Sequence, residues 1–300
     1  MEGTSGKAIY YAFLANFGIA IAKSIAAFFT LSGSMLAEAI HSLADCTNQL
    51  LLFLGLKRAK QPACPEHPLG FGKVIYFWSF IVAILLFSMG GLFSIYEGIH
   101  KLLNPEDLKN TWVAMAVLGF SVVLESLSLA GALREIKKIR GEKRLREWVR
   151  ESRNAELLVV LGEDVGALVG LSIALIFIAL SHVTGNPLYD SMGSIAIGAV
   201  LITISIVLII RIKSLIIGRC ASPELQELLE RELDAVHHIR RIFNVITIQF
   251  GPDVVLAAKI ELDKSLDINS ACVIINRLEH KIKKKFPEVK WTFIEPDIKD

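Results

Sequence analysis

No Cys-x-x-C pair occurs in these 300 residues, and the four cysteines, Cys46, Cys64, Cys220 and Cys272, are scattered. That pattern indicates neither a disulfide framework nor a thiolate zinc site. A His-Glu-x-x-His run is missing too. With it goes the usual sequence signature of a metallohydrolase, so neither an enzyme nor a catalytic cofactor is expected. The net charge of +2 says little by itself, but beyond Cys220 acidic and basic residues nearly balance, which leaves no electrostatic case for nucleic acid as a partner. A cleavable leader is not expected either. The first apolar run, about 8–31, is too long for a signal h-region and lacks a clear cleavage site, so it should remain as a membrane helix.

What the chain has in excess is apolar length. Hydrophobic residues make up 53% of it and the mean hydropathy is +0.52, which is not a soluble composition. Six runs are long enough to span a bilayer, at about 8–31, 34–56, 74–100, 111–133, 157–180 and 187–210. The stretch from Arg134 to Glu156 carries nine Lys/Arg, and Lys57, Arg58 and Lys60 follow the second run. The alternate connections, at 32–33, around Lys101 and Lys109, and at 181–190, are poor in base. Both termini and the basic loops are therefore expected in the cytoplasm, in a multi-pass protein of a prokaryotic inner membrane. Beyond Cys220 the pattern becomes that of a small soluble domain in the order α-β-β-α-β, with strands near 244–250, 254–262 and 291–294 and helices after Ser222 and over about 269–285. The expected division is thus a six-helix membrane domain, 1–217, and a cytoplasmic α+β domain, 218–300. The Lys281–Lys285 run reads as a solvated helix end.

One stretch concentrates the chemistry: Glu38-Ala-Ile-His41-Ser-Leu-Ala-Asp45-Cys-Thr-Asn48. On a helix these four polar residues share a face, and His41 lies about 12 Å in from the Ser32-Gly33-Ser34 turn at about 1.5 Å per residue. An ionised carboxylate near mid-membrane costs about 2.5–3.5 kcal/mol or more, so such groups usually mark an ion or proton path. His41 and Asp45, one turn apart, form half of a tetrahedral site for a zinc-like divalent cation. Asn48 suits a supporting role, and Glu38, nearer the outer end, is expected only to line a wet vestibule. The fifth run holds the adjacent carboxylates Glu163 and Asp164. They point about 100° apart, and geometry alone leaves open which one reaches His41 and Asp45. Glu125 in the fourth run is either a proton-path residue or a helix contact. Lys23 and Glu97, nearer their helix ends, are expected to snorkel. Cys64, Glu66 and His67 read as an ordinary loop, and His237-His238 as an exposed helix end.

Six spans, the His-x-x-x-Asp, the Asp of the fifth run and the α-β-β-α-β tail resemble the cation diffusion facilitator family of zinc-transporter-type metal/proton antiporters. Glu38-Ala-Ile-His-Ser-Leu-Ala-Asp45, His67-Pro-Leu-Gly-Phe71, Glu151-Ser-Arg153, Glu163-Asp164 and Gly185-Asn-Pro-Leu-Tyr-Asp190-Ser are most similar to the branch of the ninth animal zinc transporter. The resemblance implies export of zinc from the cytoplasm for protons by alternating access, with Co²⁺, Mn²⁺, Fe²⁺ and Cd²⁺ as other cargoes. It implies metal ligands at His41, Asp45 and Asp164, and a homodimer joined by a ferredoxin-like, metallochaperone-like tail. Val160 stands where the family pattern has a further ligand, so Glu163 or a water completes the site. Phe71, Phe243, Lys259 and Ile294 stand where relatives carry metal-binding histidines, which implies no second loop metal and no metals in the tail. The alternative reading is a membrane scaffold or metal sensor with a vestigial site.

Overall fold

The computed structural model describes residues 2–31, 33–104 and 111–299, with side chains described from residue 16 onward apart from 33 and 34. Ser32 of the expected turn and Lys109 of the expected base-poor connection lie outside these residues. The expected runs all become helices: α1 (Glu2–Thr30), α2 (Gly33–Ala59), a rod made of α3 (Val74–Leu85), a π-helical segment (Leu86–Leu92) and α4 (Phe93–Leu103), then α5 (Thr111–Arg140), a short α6 (Leu145–Glu151), α7 (Ala155–Thr184) and α8 (Leu188–Ile217). Four of these, Val74–Leu103, Thr111–Arg140, Ala155–Thr184 and Leu188–Ile217, are long and apolar enough to cross a membrane. In α1 the described apolar stretch is the shorter Asn16–Thr30. Helix α2 carries the polar stripe and is not among the four.

The helices overrun the apolar runs. Helix α5 continues through Arg134, Lys137 and Lys138 to Arg140, and the short α6 (Leu145–Glu151) lies within the expected basic loop. Lys and Arg are good helix formers and impose no stop, so hydropathy marks the end of the apolar stretch and not of the helix. The π segment was not foreseen. There Ser94 Oγ donates 2.6 Å back to the Gly90 carbonyl, a local competitor for the ladder. A Cβ on Gly198 would come 2.6 Å from the Gly91 carbonyl oxygen, so the rod and α8 meet backbone to backbone, as small residues allow between membrane helices. Leu86, Leu118, Leu171, Leu201 and Ile212 belong to the core of this bundle.

The tail follows the expected order. Helix α9 (Pro223–Asp234) is capped by Ser222, whose Oγ accepts from the Leu225 amide at 3.3 Å. Strands β1 (Ile239–Phe250) and β2 (Asp253–Leu262) pair antiparallel, and β3 (Val289–Pro296) joins β2 in parallel, giving the order β1-β2-β3. The crossover is α10 (Ile268–Lys285), capped by Asp267. Leu225, Leu229 and Leu233 of α9 and Leu278 and Ile282 of α10 cover Val254, Leu256 and Ala258 of β2, a second core separate from the first. Each fully buried leucine there contributes about 1.5–3 kcal/mol.

Candidate functional site

Helix α2 turns Glu38, His41, Asp45 and Asn48 to one buried face, as the spacing requires. His41 Nε2 and Asp45 Oδ2 stand 3.6 Å apart, too far for a hydrogen bond. Both ring nitrogens of His41 and Oδ1 of Asp45 are buried with no hydrogen-bond partner among the described residues. The imidazole lies against the π segment, where a Cβ on Gly90 would come 3.6 Å from Nδ1. Buried polar atoms are normally paired, and unpaired ones call for a role.

The adjacent carboxylates of α7 part company as their 100° offset demands. Glu163 is buried and accepts a 2.6 Å hydrogen bond from Asn48 Nδ2 across the α2/α7 interface. Asp164 turns toward α5, where Ser128 Oγ lies 3.3 and 3.4 Å from its two oxygens. Glu163 is therefore the carboxylate held toward α2. Val160, one turn before Asp164, packs against the apolar core. Glu125 of α5 is buried and within electrostatic range of Asp45, His41 and Lys23, and Asp164 feels it as well. Among the described residues no three His, Cys, Asp or Glu side chains converge closely enough to hold a metal ion. His41 and Asp45 stand together, while Glu163 and Asp164 are engaged by Asn48 and Ser128.

Two expectations are overturned. Lys23 does not snorkel: it is fully buried, 3.2 Å from Glu38 Oε2 and 2.8 Å from Ser42 Oγ. Glu38 lines no wet vestibule, being fully buried in that same pair. A partner on the next helix keeps the ammonium inside, and a single-helix reading cannot see it. Glu97 is half-buried on α4.

The other quoted motifs serve the architecture. Arg153 donates to the Cys220 and Ala221 carbonyls at 2.8 and 3.0 Å, tying α7's start to the linker before α9. Gly185, at φ 66°, ends α7, and Asn186 Oδ1 accepts from the Leu188 amide at 3.0 Å as α8 begins. His67 stacks on Phe71 with ring centroids 4.5 Å apart, and Cys64 Sγ is 3.8 Å from His67 Nδ1, in line with a loop role. His238, in the turn before β1, faces Asp263 at 3.2 Å. Between the loop after α2, the start of α7 and the tail, a cavity of about 800 Å³ opens, lined among others by Leu56, Tyr76, Glu156 and Asp253.

Residues 9–216 match the cation efflux transmembrane domain. The chain is 34% identical over 276 residues to the proton-coupled zinc antiporter SLC30A9, mitochondrial, of Mus musculus, covering 91% of this chain and 48% of that protein. With the Homo sapiens protein of the same name it shares 32% over 330 residues, 97% of this chain and 58% of that one. The magnetosome protein MamB of a Magnetospira strain is 23% identical over 283 residues, with 94% of this chain and 91% of the other covered. The chain spans about half the length of the zinc antiporters it matches.

Proposed function

Because the chain belongs to the cation efflux family, we propose that it is an integral membrane transporter, not an enzyme, exchanging a divalent metal cation for protons by alternating access. The observation that carries this reading is the His41/Asp45 pair, whose buried nitrogens and Oδ1 have no hydrogen-bond partner among the described residues. Lone pairs kept from water and from other donors are what a soft-to-borderline cation would use. Zinc is the proposed cargo, on the chemistry of imidazole with carboxylate and on the names of the antiporter relatives. Cobalt, manganese, iron and cadmium suit the same donors less selectively.

Metal enters from the cytoplasm between α2 and α7, through the cavity beside Tyr76 and Glu156. His41, Asp45 and Asp164 bind it, with Glu163 or a water as fourth ligand. These groups must give up protons to accept metal, so metal and protons compete for the same atoms. Opening to alternate sides then turns that competition into exchange. Closing the site requires α7 to bring Asp164 toward α2, since it now faces Ser128 whereas Glu163 already reaches Asn48.

Six spans, with both termini and the basic α5–α7 connection in the cytoplasm, complete the reading. So does a homodimer joined through the tail, a ferredoxin-like domain from about residue 218 that dispenses with its own metals. A prokaryotic inner membrane finds no support in the antiporter relatives, which are named mitochondrial. The competing reading, a scaffold or sensor, draws on Val160 at a ligand position. Purified protein sealed into vesicles tests both: zinc accumulation against a pH gradient supports transport, and zinc binding without flux supports the sensor.

A further inference from the structure

One buried charge is left over by that mechanism. Lys23 crosses from α1 to α2 with no exposure to solvent, and its ammonium spans Glu38 Oε2 at 3.2 Å and Ser42 Oγ at 2.8 Å. Burying an ion pair of this kind costs several kcal/mol per ion before pairing restores part of it. In a bundle held together by packing, a neutral pair would do the same structural work more cheaply. Glu38 is only half satisfied: its Oε1 is buried, has no hydrogen-bond partner among the described residues and is aimed at α7. A Cβ on Gly170 would come 2.7 Å from that oxygen, so only the glycine leaves it room. Glu38 also stands three residues before His41 on the same face of α2, one turn farther from the basic end at Lys57 and Arg58. Lys23 is within electrostatic range of His41, Asp45 and Glu125 as well.

We propose that Glu38 is a second, exit-side contact for the transported divalent cation, and that Lys23 is a tethered counter-cation competing with the cargo for it. This rests on the transport reading above. A cation leaving His41 and Asp45 toward the non-cytoplasmic side meets the Glu38 carboxylate next. With no ammonium there, an anionic carboxylate at the α2/α7 interface would hold a divalent ion in a medium where opposite charges interact strongly. The Lys23 ammonium already occupies Oε2, leaving Oε1 for a brief contact and displacing the ion from it. Lys23 is thus a positioning residue that acts through Glu38.

Zinc flux into sealed vesicles of the full chain, measured across zinc concentrations, tests the pair. Lys23→Gln should lower kcat and KM together by about tenfold, with kcat/KM nearly unchanged, because cargo is retained and not excluded. Lys23→Gln with Glu38→Gln should restore kcat, since the retaining carboxylate is gone, and Lys23→Arg should remain near wild type. If the pair only braces α1 against α2, the double variant stays as slow as the single one or slower, and the proposal is overturned. It is equally overturned if Lys23→Gln keeps both constants. Wild-type flux and its loss in Asp45→Ala are read in the same assay. Failure of the transport reading would appear there as no wild-type flux at all.

Discussion

Asn48 and Glu163 are 115 positions apart in sequence and 2.6 Å apart in space. Replacing Asn48 by Leu strands a buried carboxylate, at a cost of about 1–3 kcal/mol. The expected result is a lower thermal midpoint in detergent, while Asn48→Gln, which keeps a donor, falls less. The α7 carboxylates should separate in a calorimetric zinc titration at two pH values. Asp164→Asn is expected to weaken binding whether Glu163 or a water is the fourth ligand. Glu163→Gln weakens it if Glu163 is that ligand and, if water is, leaves affinity nearly intact and alters mainly the pH dependence. A wild-type titration of Asp164→Asn would remove Asp164 from the site. That His41 and Asp45 share a buried face was legible because their relation is local, four residues on one helix. The burial of Lys23 against Glu38 was not. Hydropathy places a lysine by its distance from a helix end, whereas this one is placed by Glu38 and Ser42 on another helix. Ser128 gave no signal either, being an ordinary serine until Asp164 is beside it.

Among the elements, the existence and order of the long helices and of the tail's α-β-β-α-β units could be read from apolar runs and turn residues. Their ends could not, because basic helix formers carry α5 to Arg140 past the last apolar residue. The π segment was equally hidden, since it depends on how Gly90 and Gly91 meet α8. That contact gives a sharp comparison. Gly198→Val would drive a side chain into the Gly91 carbonyl and Ile95, whereas a Cβ on Gly119 of α5 meets nothing within 4 Å. Gly198→Val should lower the thermal midpoint by several degrees, the shift expected for about 1–3 kcal/mol of overpacking. Gly119→Ala should leave it in place. Equal midpoints for the two variants would contradict the backbone-to-backbone packing.

At the scale of the molecule, two cores meet at a polar junction. Tyr76 Oη donates 3.1 Å to the Gly251 carbonyl, and Lys143 bridges Glu151 at 2.9 Å and Glu224 of α9. The hydrogen bond from Lys143 holds the Glu224 carboxyl below its ordinary value. Its contribution is therefore complete above about pH 4.3 and is lost as the pH falls through the depressed value. Relative to the intrinsic exchange rate at each pH, tail amides near Gly251 should lose protection in acid before either core opens, and Lys143→Met should remove that pH dependence of the protection. The change from long apolar runs to a mixed pattern near Cys220 is visible in the sequence, and the two clusters of buried residues lie on either side of it. The junction between the two cores was not legible in the sequence, because its partners come from the start of α3, the α5–α6 turn, the end of α6 and the tail. The proposed homodimer belongs to this scale too: light scattering in detergent should return twice the chain mass of 33.1 kDa, and a monomer at all working concentrations would contradict it.

Simultaneous recording of zinc and pH inside sealed vesicles reaches the central claim most directly, that a buried His41/Asp45 pair exchanges a divalent cation for protons. Wild-type protein should move zinc one way and protons the other, with the zinc flux rising as the opposing proton gradient steepens. Asp45→Ala should abolish both movements. Zinc flux indifferent to the proton gradient, or an Asp45→Ala protein that still couples the two, would contradict the account.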